Sequence, residues 1–120
     1  TKWYIKTTEE KLEIIQKILD RVKSKNKKYI PSLVVYTLIL RIRTLYIIDR
    51  LVKNKFYSKK EFIKIIKGIS KGTNAYERYL IIKNNLKEKD GISIDEAQRL
   101  YDYLKDQLSN VEKLIKKLPS

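Results

Sequence analysis

The 120-residue chain carries 28 Lys and Arg against 14 Asp and Glu, a formal net charge of +14, and has no His, Cys or Met. Without Cys there is no disulfide, thiolate metal site or cysteine nucleophile. Without His there is no imidazole base, no Ser-His-Asp triad and no His-ligated metal. The length suits one domain, residues 1–120, with a core of its own. The longest apolar run, Leu33 to Leu40, falls short of the roughly 20 residues that a spanning helix needs. No signal-peptide run opens the chain, so a cytoplasmic protein with no membrane partner is expected.

Helical spacing dominates, and an all-α single-domain bundle of about five helices is predicted. The first helix is expected over about 8–23, capped by Thr7 or Thr8, with Glu9 and Glu10 at the positive end of its dipole. Leu12, Ile15, Leu19 and Val22 form its buried stripe. The segment from Lys23 to Lys28 reads as a solvated basic loop. Pro31 suits a first helical turn, and the second helix is expected over 31–53. Its first half is apolar on every side (Leu33, Val34, Val35, Leu38, Ile39, Leu40, Ile42), which marks a central, surrounded helix.

Ser58 and Glu61 form a capping box that opens a helix over 59–69, ending near Gly68 or Gly72. Thr73 or Asn74 caps a fourth helix over 74–86, and Asp90-Gly91 is a turn signal. Ser93 and Glu96 form a second capping box, opening the last helix over 94–118. Its stripe of Ala97, Tyr101, Leu104, Leu108, Val111, Ile115 and Leu118 alternates four and three residues, a heptad seam. Packing within the same chain is the commoner use of such a seam; a homodimer through Tyr101, Leu104, Leu108, Val111 and Ile115 is the alternative.

The charge is unevenly placed. Successive 30-residue quarters carry net charges of +5, +6, +3 and 0. An excess of this kind attracts anionic partners, nucleic acid or nucleotide above all. The Lys, Ile, Glu and Tyr enrichment fits a hyperthermophile's composition or an AT-rich genome, and either would supply much of the lysine as background.

Three groups of residues are candidates for phosphate contact. Lys25, Lys27 and Lys28 form the first, although such runs are usually plain solvated loops. Arg41, Arg43 and Arg50 concentrate arginine on the central helix, with Arg43 and Arg50 seven residues apart on one face. Arg41 shares a stripe with Val34, Leu38, Leu45 and Ile48, so its partly covered guanidinium needs an acid such as Asp49 or Glu77, or a phosphate. Tyr76, Arg78, Tyr79, Lys83 and Asn84 place rings and donors on one short helix, the combination that holds single strands by stacking. The same tyrosines are also the apolar stripe of an amphipathic helix. The Ser58–Asn85 segment has the outline of a helix-turn-helix, so a DNA-binding regulator is an alternative reading. A structural or dimerisation protein without a nucleic-acid ligand is another.

Catalytic signals are weak. The acidic pairs Glu9/Glu10 and Asp95/Glu96 sit at helix starts, where the dipole accounts for them, and Asp102/Asp106 looks like a solvated face. No phosphate-cradling glycine loop exists, and no cofactor or metal is expected. The chain is not expected to be a self-sufficient enzyme.

The stretches Leu40–Leu51, Tyr57–Glu61, Tyr76–Tyr79 and the helix from Ile94 resemble the helical domain that follows the catalytic domain in predicted archaeal nucleotidyltransferases, related in shape to HEPN bundles. The resemblance covers roughly residues 38–115. The nucleotidyltransferase half would carry a Gly-Ser motif with paired aspartates, and none is present. HEPN ribonucleases follow an arginine with a histidine; Arg78 stands at the arginine position, but Lys83, Asn84 and Asn85 follow. The resemblance implies a four- or five-helix bundle that binds a substrate or partner, as a separate subunit or as one domain of a longer chain. A nucleotidyltransferase subunit is the implied partner.

Overall fold

The computed structural model describes residues 2–71, 74–84 and 92–119. Five helices follow in order: α1 (Lys2–Ser24), α2 (Ser32–Val52), α3 (Lys59–Ser70), α4 (Asn74–Lys83) and α5 (Ile94–Lys116). The all-α bundle predicted from the spacing is therefore the fold. Two short strands, β1 (Tyr29–Ile30) and β2 (Ile92–Ser93), pair antiparallel, with Tyr29 opposite Ser93 and Ile30 opposite Ile92. Two-residue strands are too short to leave a period in the sequence, which gives no sign of them. Their inward residues Ile30 and Ile92 are buried, and Lys28 O accepts the Ile94 N–H at the start of α5.

α1 begins six residues ahead of the expected start, and neither Thr7 nor Thr8 caps it. Both hydroxyls instead donate backwards to Tyr4 O, at 3.1 and 2.8 Å, the bond a Thr makes inside a helix. Glu9 and Glu10 accordingly lie within the helix rather than at its positive end. The stripe of Leu12, Ile15, Leu19 and Val22 is buried as its spacing requires.

α2 packs on α5 and α4 and supplies the middle of the core through Val35, Leu38, Ile39, Ile42 and Leu45. It is not enclosed on every side, however: Leu33 and Leu51 are exposed near its two ends. Pro31 stands one residue before the helix, at the cap.

The two capping boxes fix α3 and α5. Ser58 Oγ accepts from Glu61 N at 3.1 Å, and Ser93 Oγ accepts from Glu96 N at 3.2 Å. α3 runs through Gly68 and stops at Lys71, a left-handed residue with φ 62°. Arg99 of α5 reaches the end of α3, donating to Ile69 O at 3.0 Å and Ser70 O at 2.9 Å, so a side chain satisfies carbonyls that the helix itself leaves unpaired. The expectations for Gly72, Thr73, the Asn74 side chain, the end of α4 beyond Asn84 and the Asp90-Gly91 turn lie outside the described residues.

The seam of α5 is spent inside the chain. Tyr101, Leu104, Leu108 and Val111 belong to the core, and Ile115 packs against it half-buried. The contacts are with α2, α1 and α3, so these residues are not a surface that a second copy can meet. No helix among the described residues is long and apolar enough to cross a membrane.

Candidate anion site

The three arginines of α2 separate according to helical geometry. Two residues turn a helix by about 200°, so Arg41 and Arg43 leave α2 on nearly opposite sides; seven residues return to the same side, so Arg43 and Arg50 share one.

Arg41 points at α1. Its Nη1 donates to Thr7 Oγ1 at 3.0 Å and to Thr8 Oγ1 at 3.2 Å, and its guanidinium carbon lies 4.6 Å from the Tyr4 ring centroid. Neither Asp49 nor Glu77 is its partner. Hydroxyls and a ring face stand in for the expected acid, because α1 extends past Thr8 to bring Tyr4 alongside.

Arg50 is neutralised. Its Nη2 pairs with Glu61 Oε2 at 3.2 Å, and its Nε donates to Phe56 O at 3.2 Å. It borders a cleft of about 490 Å³ that also takes in Asp49, Lys53, Tyr103, Asp106 and Gln107. Lys53 pairs with Asp49 at 3.1 Å. Three carboxylates (Asp49, Glu61 and Asp106) line this cleft, which makes it a poor host for an anion. Burial pushes the Tyr46 phenol at its edge above the ordinary tyrosine value.

Arg43 differs from both. Its guanidinium carbon lies 5.3 Å from the Tyr57 ring centroid, and no carboxylate among the described residues comes within ion-pair distance of it. Arg43 lines a cavity of about 130 Å³ with Tyr57, Lys59, Phe62, Tyr76, Tyr79 and Lys83. Four elements converge there: α2 brings Arg43, the α2–α3 connection Tyr57, the first turn of α3 Lys59 and Phe62, and α4 the last three. The sequence groups on α2 and α4 are thus joined through Arg43, Tyr76, Tyr79 and Lys83.

Tyr76 and Tyr79 are core residues, 7% and 3% exposed. Tyr79 stacks on Tyr36 with centroids 5.4 Å apart, and Tyr76 lies 5.9 Å from Tyr79. Their faces are therefore taken, and stacking of nucleobases on them is not available. Burial raises both phenols above the ordinary tyrosine value, while Arg43 pulls the other way. They are protonated at neutral pH and able to donate. The hydrogen bond with Tyr57 raises Arg43 in turn, so the guanidinium keeps its charge. The cavity thus combines three cations with three phenols and, among the described residues, has no carboxylate in its lining, the chemistry of an oxyanion site.

Beside it lies a groove of about 310 Å³ that shares Lys59 and Tyr76 and adds Ile63, Leu80, Lys67 and Glu77. Arg78 is half-buried on the same helix, and Asn84 is exposed just past its end. Lys25, Lys27 and Lys28 are exposed in the α1–β1 loop. Lys27 and Lys28 line a separate shallow groove of about 600 Å³ with Lys23, Tyr29 and Asp95.

Three residues of the cavity, Tyr57, Lys59 and Phe62, are not among the candidates that the sequence suggests. A signal for Tyr57 is nevertheless present: it precedes the Ser58 cap and Phe62 is the fourth helical residue, the two positions that a hydrophobic staple occupies. Lys59 carries no mark that separates it from the other lysines. Among the described residues no group of three Asp or Glu is arranged to hold a metal ion. Compared with protein-family models, curated proteins and solved structures, the chain matches none.

Proposed function

We propose that the chain is a non-catalytic basic helical module that binds nucleic acid or nucleotide by its phosphate, in the cavity around Arg43. The observation that carries this reading is the convergence of Arg43, Lys59 and Lys83 with three phenols on one cavity that no carboxylate lines among the described residues. Lysines are common over the whole surface, but Arg41 and Arg50 show how this protein satisfies an arginine that holds its helices together. Each of those two is met by acceptors from a neighbouring element. Arg43 meets the Tyr57 phenol but, among the described residues, no carboxylate, and it shares its cavity with Lys59 and Lys83. The net charge of +14 adds long-range attraction for a polyanion. The mode is phosphate contact rather than base stacking, since Tyr76 and Tyr79 are buried.

On the resemblance to nucleotidyltransferase-associated helical domains, the module serves as partner or accessory domain of such an enzyme. A neighbouring reading frame with a Gly-Ser and paired-aspartate motif would support that role.

Binding to single-stranded RNA and to duplex DNA across a salt series tests the phosphate reading. Affinity is expected to fall log-linearly with salt. No binding to either, nor to a nucleoside monophosphate, at about 50 mM salt, where phosphate contacts are strong, overturns it.

A further inference from the structure

We propose that the Arg43 cavity takes a phosphomonoester, the terminal phosphate of a strand or of a nucleotide, in preference to the phosphodiesters of a strand's interior. This rests on the phosphate reading above and narrows it.

Charge is the first argument. Arg43, Lys59 and Lys83 gather around about 130 Å³ with no carboxylate among the described residues of its lining. A phosphodiester brings one negative charge and two free oxygens. A monoester brings close to two charges at neutral pH and three strong acceptor oxygens. The dianion relieves more of the mutual repulsion of three cations and uses more of the donors. The phenols of Tyr57, Tyr76 and Tyr79 add donors that carry no charge.

Shape is the second. The cavity is well below the roughly 300–1,000 Å³ of small-molecule pockets, room for a phosphate group but not for a nucleoside. Phe62, Tyr76 and Tyr79 in its lining are core residues. A strand cannot pass through that wall, so a phosphate that enters fully must be the end of its chain.

The third argument is the neighbouring groove. At about 310 Å³ it falls inside the small-molecule range, and it meets the cavity at Lys59 and Tyr76. Ile63 and Leu80 give it apolar surface, while Lys67 and Glu77 supply a donor and an acceptor. A nucleoside attached to a phosphate in the cavity has this groove beside it. The combination of a small cavity rich in cations and phenols and an amphipathic groove fits a terminal nucleotide.

The test is calorimetric titration of the intact protein, at about 50 mM salt where phosphate contacts are strong, with one oligonucleotide made in three forms: 5′-phosphate, 3′-phosphate and hydroxyl at both ends. A nucleoside monophosphate and inorganic phosphate complete the set. One phosphorylated form should bind about tenfold tighter than the hydroxyl-ended strand, the scale of one added charge-assisted contact. Arg43→Gln and Lys83→Gln should each bring that ratio close to one. Lys83 is exposed at the end of α4, so its variant folds even if the Arg43 variant does not. A monophosphate that matches the phosphorylated strand also supports the proposal and makes free nucleotide the source; a much weaker one makes the strand end the source. Equal binding of all three strand forms overturns the preference and leaves nucleic-acid binding standing. Absence of binding by every strand and by the monophosphate defeats both readings.

Discussion

Arg41 of α2 donates to Thr8 of α1 across 3.2 Å, and that hydroxyl, fully buried, donates in turn to Tyr4 O at 2.8 Å. A charged side chain is thus held by two threonine hydroxyls and a ring, with no acid among the described residues. Hydrogen bonds to charged groups are worth about 1.5–3 kcal/mol each in protein interiors. Arg41→Ala should therefore lower unfolding free energy by about 2 kcal/mol, read from urea denaturation. Affinity for single-stranded RNA should change less than it does in Arg43→Gln. A variant that keeps its stability and loses binding would reverse the assignment of the two arginines.

Removing charge at the cavity should have the opposite profile. Lys83→Gln is expected to leave stability within about 0.5 kcal/mol, as exposed positions usually do. The slope of log affinity against log salt should fall by about one for that variant. An unchanged slope would place the phosphate contacts elsewhere, with the exposed Lys27 and Lys28 the next to test.

Protonation should shape binding from the ligand's side. A phosphomonoester gains its second charge near pH 6, and the chain has no histidine to titrate there. Affinity for a terminal phosphate should rise from pH 5 to pH 7 and then stay level, because Tyr76 and Tyr79 are held above the ordinary tyrosine value. Loss of affinity between pH 7 and 9 would contradict this.

Stability should fall in alkali. Burial raises the phenols of Tyr46, Tyr76, Tyr79, Tyr101 and Tyr103 in the folded chain. Above about pH 10 the unfolded chain has lost phenolic protons that the folded chain still keeps. Unfolding then becomes easier as pH rises, so this stabilisation is complete below pH 10 and declines above it. Urea midpoints measured from pH 8 to 11, with phenolate absorbance alongside, should show the decline. A constant midpoint would argue that these rings are not buried.

Two further substitutions test local packing. Leu108 is 4% exposed within its own chain, so Leu108→Ala should cost about 2–5 kcal/mol. Light scattering should give the folded variant the mass of its parent; a halved mass would return the α5 seam to a dimer interface. Gly68 lies inside α3 with open space where a Cβ would go and no positive φ, so Gly68→Ala should add about 0.5–1 kcal/mol.

Much of the fold is legible because capping boxes and apolar stripes are local. Ser58 with Glu61 and Ser93 with Glu96 mark the starts of α3 and α5 without reference to anything distant. The start of α1 is not legible in the same way. A threonine offers one hydroxyl, and whether it bonds forward as a cap or backward to Tyr4 depends on whether the preceding turn is helical. Here that turn is held by Arg41 from another helix. The candidate site divides similarly. The separation of Arg41 from Arg43 follows from 100° per residue, but the meeting of Arg43 with Lys83 depends on how α4 lies against α2. That is a tertiary fact with no sequence period.

The pairing of Tyr29–Ile30 with Ile92–Ser93 has a kinetic consequence. It closes a loop of about sixty residues around α2, α3 and α4, at an entropic cost of roughly 3–4 kcal/mol. So small a pair cannot nucleate against that cost, and it forms once the helices have already met. Substitutions in it should accelerate unfolding and leave the refolding rate almost untouched. The two strands act as a latch that sets how long the bundle stays shut rather than how fast it assembles.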